Sequence, residues 1–192
     1  MSVEKPGSGE LLAKASVIEA VVFDVDGVLT DGGLFYGPTG EAMKRFDVKD
    51  GHGIVLAHLT GLKVAVLTAR TSPMVERRAR ELKLAAVYQG HKDKAQGLVA
   101  LLGELKVAAS ACAYMGDDWN DLAPMRLSGL PACPADAAPE VRQEALFVSR
   151  QMGGRGAARE LIELVLRATG RWERAMNMMK TGGLEQDRTR PR

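Results

Sequence analysis

Two hydrophobic rhythms alternate along the chain. Apolar runs of four to nine residues occur at VIEAVVFDV (17–25), KVAVLT (63–68), AAVYQ (85–89), ACAYM (111–115) and, more weakly, LFVS (146–149). They are apolar throughout, the pattern of parallel strands covered on both faces. Between and after them, apolar positions recur at helical spacing over 51–60, 73–83, 92–105, 120–128, 138–144 and 155–168. In 73–83, Ser72 is placed to cap the helix and Pro73 to open it. Strand and helix in alternation predict an α/β fold: a Rossmann-like open parallel sheet with helices on both faces.

One segment interrupts the alternation. GGLFYGPTGEAMKRFDV (32–48) carries two short half-apolar runs around GPTG, which predicts a β-hairpin. It follows the first strand directly, in position to form a flap over that strand's end. The linkers leave no room for a large cap domain. Residues 1–16 and 171–192 read as flexible tails, leaving 17–170 as a single core that includes the hairpin insertion.

Composition narrows the partners. The 192 residues carry 26 basic and 24 acidic side chains, a net charge of +2, which is too balanced for nucleic acid or an anionic membrane as the main partner. No apolar run approaches a membrane span, and the N-terminus lacks the apolar core of a signal peptide. Cys112 and Cys133 lie among small or apolar neighbours without metal-type spacing, which predicts reduced structural thiols in a cytoplasmic protein.

The strand ends carry the chemistry. The first strand ends in DVDG, with Asp24 and Asp26 one residue apart. In an open parallel sheet, ligands bind at the carboxyl ends of the strands. Ionised carboxylates this close repel unless a cation or proton joins them, and Mg2+ commonly takes one or two carboxylates together with phosphate oxygens. A solvated turn capped by the two acids is the alternative. Three further strand ends bear on the choice. VAVLTAR ends in Thr68, Ala69 and Arg70; YQGHKDKAQ reaches Lys94 as a helix begins; AYMGDDWND supplies Asp117, Asp118 and Asp121. A hydroxyl and an ammonium suit phosphoryl oxygens, and further carboxylates complete a metal site.

In this order, FDVDGVLTDG, LTAR, Lys94 and GDDWND resemble the four motifs of the haloacid dehalogenase-like phosphohydrolases. With FDVKDGHGI, YQG…DK, AYMGDDWNDL and GGRGAAREL, the chain is similar to the 3-deoxy-D-manno-octulosonate 8-phosphate phosphatase branch over about 17–170. The resemblance implies a phosphomonoesterase of lipopolysaccharide sugar synthesis. Asp24 is then the nucleophile that becomes an aspartyl phosphate, and Asp26 the proton donor and acceptor. Mg2+ is held by Asp24, the main-chain carbonyl of Asp26, and Asp117. Thr68 and Lys94 bind the phosphoryl oxygens, while Asp118 and Asp121 orient metal waters or Lys94. Substrate contacts fall on Asp26, Lys94, Arg70, Arg78 and Asp47–Gly51 (Asp47, Val48, Lys49, Asp50, Gly51). The resemblance also implies a homotetramer whose hairpins meet at the centre, with Arg155 reaching a neighbour's site. The hairpin's Leu34, Phe35, Tyr36, Met43 and Phe46 supply apolar surface for such contacts.

Three positions depart from the branch pattern. Val55 stands where a basic residue is frequent, Trp119 where an aliphatic is usual, and Ala69 where glycine is usual. A nonulosonate 9-phosphate or another small phosphorylated metabolite therefore stays open as the substrate. Receiver domains share clustered aspartates, Mg2+, a strand-end hydroxyl and a lysine. There, however, the acidic pair precedes an acceptor on a later strand, whereas here D-x-D ends the first strand.

Overall fold

The computed structural model describes residues 8–181. Its centre is a six-stranded parallel sheet in the order β5-β4-β1-β6-β7-β8. The strands are β1 (Ala20–Phe23), β4 (Lys63–Leu67), β5 (Ala86–Tyr88), β6 (Cys112–Met115), β7 (Leu130–Cys133) and β8 (Phe147–Val148). The remaining two, β2 (Phe35–Gly37) and β3 (Gly40–Met43), pair antiparallel as the expected hairpin.

Because both faces are covered, alternate residues of each strand enter opposite cores. Val21 and Phe23 of β1, Val64 and Val66 of β4, and Ala113 and Met115 of β6 face one core; Ala20, Val22, Ala65, Leu67, Cys112 and Tyr114 face the other. Helices α2 (Val48–Leu59), α3 (Pro73–Glu81) and α7 (Ala157–Ala168) cover the first face. Helices α4 (Lys94–Leu105), α5 (Leu122–Leu127) and α6 (Pro139–Glu144) cover the second. Ser72 is the N-cap residue of α3 with Pro73 following, but its hydroxyl makes no capping bond.

The chain runs outward from β1 to β4 and β5, then crosses back to place β6 on the other side of β1. This reversal opens a crevice at the carboxyl ends of β1, β4 and β6, where such folds bind ligands.

Three elements correct the expectations. Residues 8–15, expected to be part of a loose tail, form α1 (Ser8–Ala15), with Leu11 and the fully buried Ala15 packed into the first core. Residues 172–180, also expected to be tail, form α8 (Trp172–Lys180). Its Trp172, Ala175 and Met179, at helical spacing, pack on the same core. The rest of the expected C-terminal tail lies outside the described residues. Strand β7 was hidden by Pro131, which cannot donate to a ladder; here its carbonyl instead accepts the Leu146 amide at 2.9 Å.

Candidate active site

Asp24 follows the last residue of β1, and its amide donates to the Met115 carbonyl at 3.0 Å, so the sheet ladder itself fixes the residue. The chain then turns tightly: the Val25 carbonyl accepts from the amides of Val28, Leu29 and Thr30. Gly27 makes this turn with φ +93°, and a Cβ there would lie 2.0 Å from Asp117 Oδ2. The loop after β1 thus closes directly on the loop after β6. Behind it, a Cβ on Gly153 would lie 1.8 Å from the Gly27 carbonyl oxygen, so the glycine pair before α7 backs the same turn.

An open cleft of about 180 Å³ at these strand ends is lined by Asp24, Asp26, Thr68, Ala69, Arg70, Lys94, Asp117, Asp118 and Asn120. Lys94, the first residue of α4, is buried; its Nζ lies 3.0 Å from Asp24 Oδ2 and 2.7 Å from Asp121 Oδ1. Asp121 is wholly buried and saturated. Its Oδ1 also accepts from the Tyr114 hydroxyl at 2.7 Å, and its Oδ2 from the amides of Asp117 at 3.1 Å and Asp118 at 3.4 Å. Asp118 opens the 3-10 turn that delivers Asp121, accepting the Trp119 amide at 2.8 Å.

Within this acidic cluster, two carboxylate oxygens are left over. Asp24 Oδ1 and Asp117 Oδ1 are buried and lack a hydrogen-bond partner. Burial, then the charge of Asp121, pushes the Asp24 carboxyl up to about 6, against the opposing pull of Lys94. Burial, then Asp24 and Asp121, pushes Asp117 up to about 8. Burial works against the Lys94 charge, yet Asp24 and Asp121 outweigh it and hold that ammonium above its usual value. Ligand oxygens of Asp24, Asp117 and Asp121 lie within 4.8 Å of one another. Since Asp121 is already occupied by four donors, the oxygens available to a cation are those of Asp24 and Asp117. Hard oxygen donors with surplus negative charge fit Mg2+.

Asp26 sits at the mouth. Lys44, just beyond β3, donates to its Oδ1, and Arg70 Nε lies 3.5 Å from its Oδ2. The hairpin therefore does stand over the end of β1, as its sequence position predicts. Arg70 also donates to the Tyr36 hydroxyl at 3.3 Å.

The other expected substrate residues lie elsewhere in the same chain. Asp47 caps α2 through the Lys49 amide at 2.7 Å. Asp50 is buried, and its carboxylate accepts from the amides of Gly156 at 3.1 Å and Arg159 at 2.8 Å, capping α7. Gly51 makes room for the Arg78 guanidinium, which a Cβ would meet at 2.3 Å, so Arg78 packs on α2. Val48 is 81% exposed. Lys49 and Arg155 line a second cleft, of about 240 Å³, with Arg150, Arg159, Glu160 and Glu163. Trp119 is 64% exposed and donates its indole N–H to Glu140 at 3.1 Å, away from the cleft lining.

Sequence reasoning missed Tyr114, Lys44 and Glu41. Tyr114 gives one signal, as the only side-chain hydroxyl in an otherwise apolar strand.

The haloacid dehalogenase-like hydrolase family model matches residues 81–161. The 3-deoxy-D-manno-octulosonate 8-phosphate phosphatase of Escherichia coli (strain K12) is 41% identical over 170 residues, 88% of this chain and 90% of that protein. A probable phosphatase structure from Pseudomonas syringae superposes with a TM-score of 0.86 at 41% identity, covering 90% of this chain and 98% of that one. The 3-deoxy-D-manno-octulosonate 8-phosphate phosphatase of Moraxella catarrhalis, solved with a magnesium ion, a phosphate ion and a KDO molecule, gives 0.86 at 35% identity, covering 90% and 99%.

Proposed function

The chain belongs to the haloacid dehalogenase-like hydrolases, and we propose that it is a Mg2+-dependent phosphomonoesterase. Its substrate in this reading is 3-deoxy-D-manno-octulosonate 8-phosphate, cleaved to the free sugar acid and phosphate in lipopolysaccharide synthesis. The observation that carries the reading is the pair of unpartnered buried oxygens on Asp24 and Asp117, beside an ammonium already touching Asp24.

An Asp24 carboxylate oxygen attacks phosphorus, the bond from phosphorus to the sugar oxygen breaks, and Asp26 gives that oxygen its proton. Asp26 then takes a proton from water. The water oxygen attacks phosphorus, the Asp24–phosphorus linkage breaks, and phosphate leaves with the Asp24 carboxylate restored. Lys94 has three N–H donors, of which Asp24 and Asp121 occupy two, so the third is available to a phosphoryl oxygen. Thr68, buried in the cleft wall, offers its hydroxyl to another. Asp121 holds Lys94 and the 117–118 main chain in place, and Tyr114 holds Asp121. Asp24, Asp117 and the Asp26 carbonyl would hold Mg2+, which would supply positive charge to offset that of the carboxylates and the phosphate.

In this reading the phosphoryl group sits at the floor of the cleft among Asp24, Thr68 and Lys94, and the sugar acid extends past Arg70 under the flap. We assign its remaining contacts to a neighbouring subunit of a homotetramer, through the exposed Val48, Lys49 and Arg155. The exposed Leu34, Phe35, Tyr36 and Met43 of the hairpin suit such an interface. Two buried thiols, with Cys112 pushed up to about 12 by burial, suit the reducing cytoplasm.

Phosphate release with Mg2+ from this ester, a nonulosonate 9-phosphate and hexose 6-phosphates tests the assignment. Preference for the octulosonate ester supports it. Preference for the nonulosonate would keep the chemistry and make Val55 and Trp119 the first positions to exchange. The absence of release from every ester would overturn the reading.

A further inference from the structure

Asp26, Lys44, Glu41 and Arg70 close a ring of ion pairs in which the signs alternate. Lys44 Nζ donates to Asp26 Oδ1 and lies 3.0 Å from Glu41 Oε1. Arg70 Nη2 lies 3.6 Å from that same Glu41 oxygen, and Arg70 Nε lies 3.5 Å from Asp26 Oδ2. Asp26 and Arg70 belong to the core, following β1 and β4; Glu41 and Lys44 belong to the hairpin. Each core residue thus meets one hairpin residue of opposite charge, Asp26 with Lys44 and Arg70 with Glu41. The Lys44 side chain is only 1% exposed. A buried ammonium is costly unless paired, and here it has a carboxylate from each side of the ring.

The geometry fixes more than the hairpin. Asp26 stands on a turn and has two free side-chain rotations. Lys44 restrains one of its carboxylate oxygens and Arg70 restrains the other, so the plane of the carboxyl is set by groups on both sides of the mouth. We propose that Lys44 and Glu41 are positioning residues: they latch the hairpin to the core and aim the Asp26 carboxyl at the leaving-group oxygen. Lys44 acts on Asp26 directly; Glu41 acts by holding Lys44 and Arg70. The proposal rests on the reading of Asp26 as the proton donor.

A positioning role of this kind depends on the leaving group. A sugar alkoxide needs a proton as it departs, whereas p-nitrophenolate does not. General acid assistance is worth about 10²–10⁴-fold, so Lys44→Met is expected to lower kcat/KM about 100-fold on an alkyl phosphate and less than about fivefold on p-nitrophenyl phosphate. Lys44→Arg restores part of the alkyl activity, and Glu41→Gln shows the same selectivity with a smaller loss. Equal losses on both esters, or no loss on the alkyl ester, would overturn the positioning role. Amide hydrogen exchange over 35–43 reads the latch separately and needs no turnover. Faster exchange in Lys44→Met and Glu41→Gln than in the parent supports it, and unchanged exchange removes it. If the parent protein cleaves neither ester, the phosphatase reading fails while exchange still decides the latch.

Discussion

Lys94 and Asp121 are joined by a 2.7 Å hydrogen bond between two buried side chains, and the same ammonium lies 3.0 Å from Asp24. Among the described residues, the lysine is the cation placed beside Asp24 and Asp121. Replacing it with methionine leaves that acidic group without its internal counter-charge and removes a donor to phosphate.

Lys94→Met is therefore expected to destabilise the metal-free protein by roughly 3 kcal/mol, as for a buried pair that loses one partner. Turnover is expected to fall about 10²–10³-fold, as for loss of one donor to developing charge. Chemical denaturation and steady-state phosphate release measure the two effects. Unaltered turnover in a folded variant contradicts the assignment.

Acidity and metal binding are coupled. Asp24 and Asp117 are raised from an ordinary 3.8 to about 6 and about 8 when no cation is present. Folded protein binds these protons more tightly than unfolded chain. The stability they contribute is full below the ordinary value and is lost as pH rises through about 6 and then about 8. Mg2+ replaces the protons, so the rise in melting temperature that it causes is larger near pH 8 than near pH 5.5. Thermal melts with Mg2+ and with chelator check this, and Asp117→Asn flattens the difference. An equal or larger Mg2+ shift in acid contradicts it.

Gly27 has no room for a side chain. With φ +93° and Asp117 Oδ2 2.0 Å from a built Cβ, Gly27→Ala must displace the turn or the carboxylate. A loss of more than about 1 kcal/mol is expected, together with weaker Mg2+ binding by calorimetry. Parent-like Mg2+ affinity would mean that the two loops are not coupled.

The nucleophile region was legible because strand ends carry ligands in this fold, and β1, β4 and β6 announce themselves as apolar runs. Asp24, Asp26, Thr68, Lys94 and Asp117 meet in one cleft as the sequence suggests. What escaped depends on tertiary partners. Helices α1 and α8 are short and mix apolar with polar residues about equally, and only the core that receives Ala15 and Ala175 reveals their buried sides. Tyr114 reads as a core residue until Asp121 is seen beneath its hydroxyl. Glu41 and Lys44 read as solvated hairpin charges until Asp26 and Arg70 close the ring. Asp50, Gly51 and Arg78 carry motif identity, but within one chain they join α2 to α7 and α3.

The central claim is that phosphate passes through a covalent intermediate on Asp24. Each in-line displacement inverts phosphorus, so two in sequence restore its configuration. Hydrolysis, in isotopically labelled water, of a phosphorothioate ester made chiral at phosphorus by oxygen isotopes, followed by stereochemical analysis of the released thiophosphate, is the most direct measurement. Retention is the predicted result, with no turnover in a folded Asp24→Asn variant. Inversion would mean that water attacks the ester directly, and Asp24 would lose its role as nucleophile.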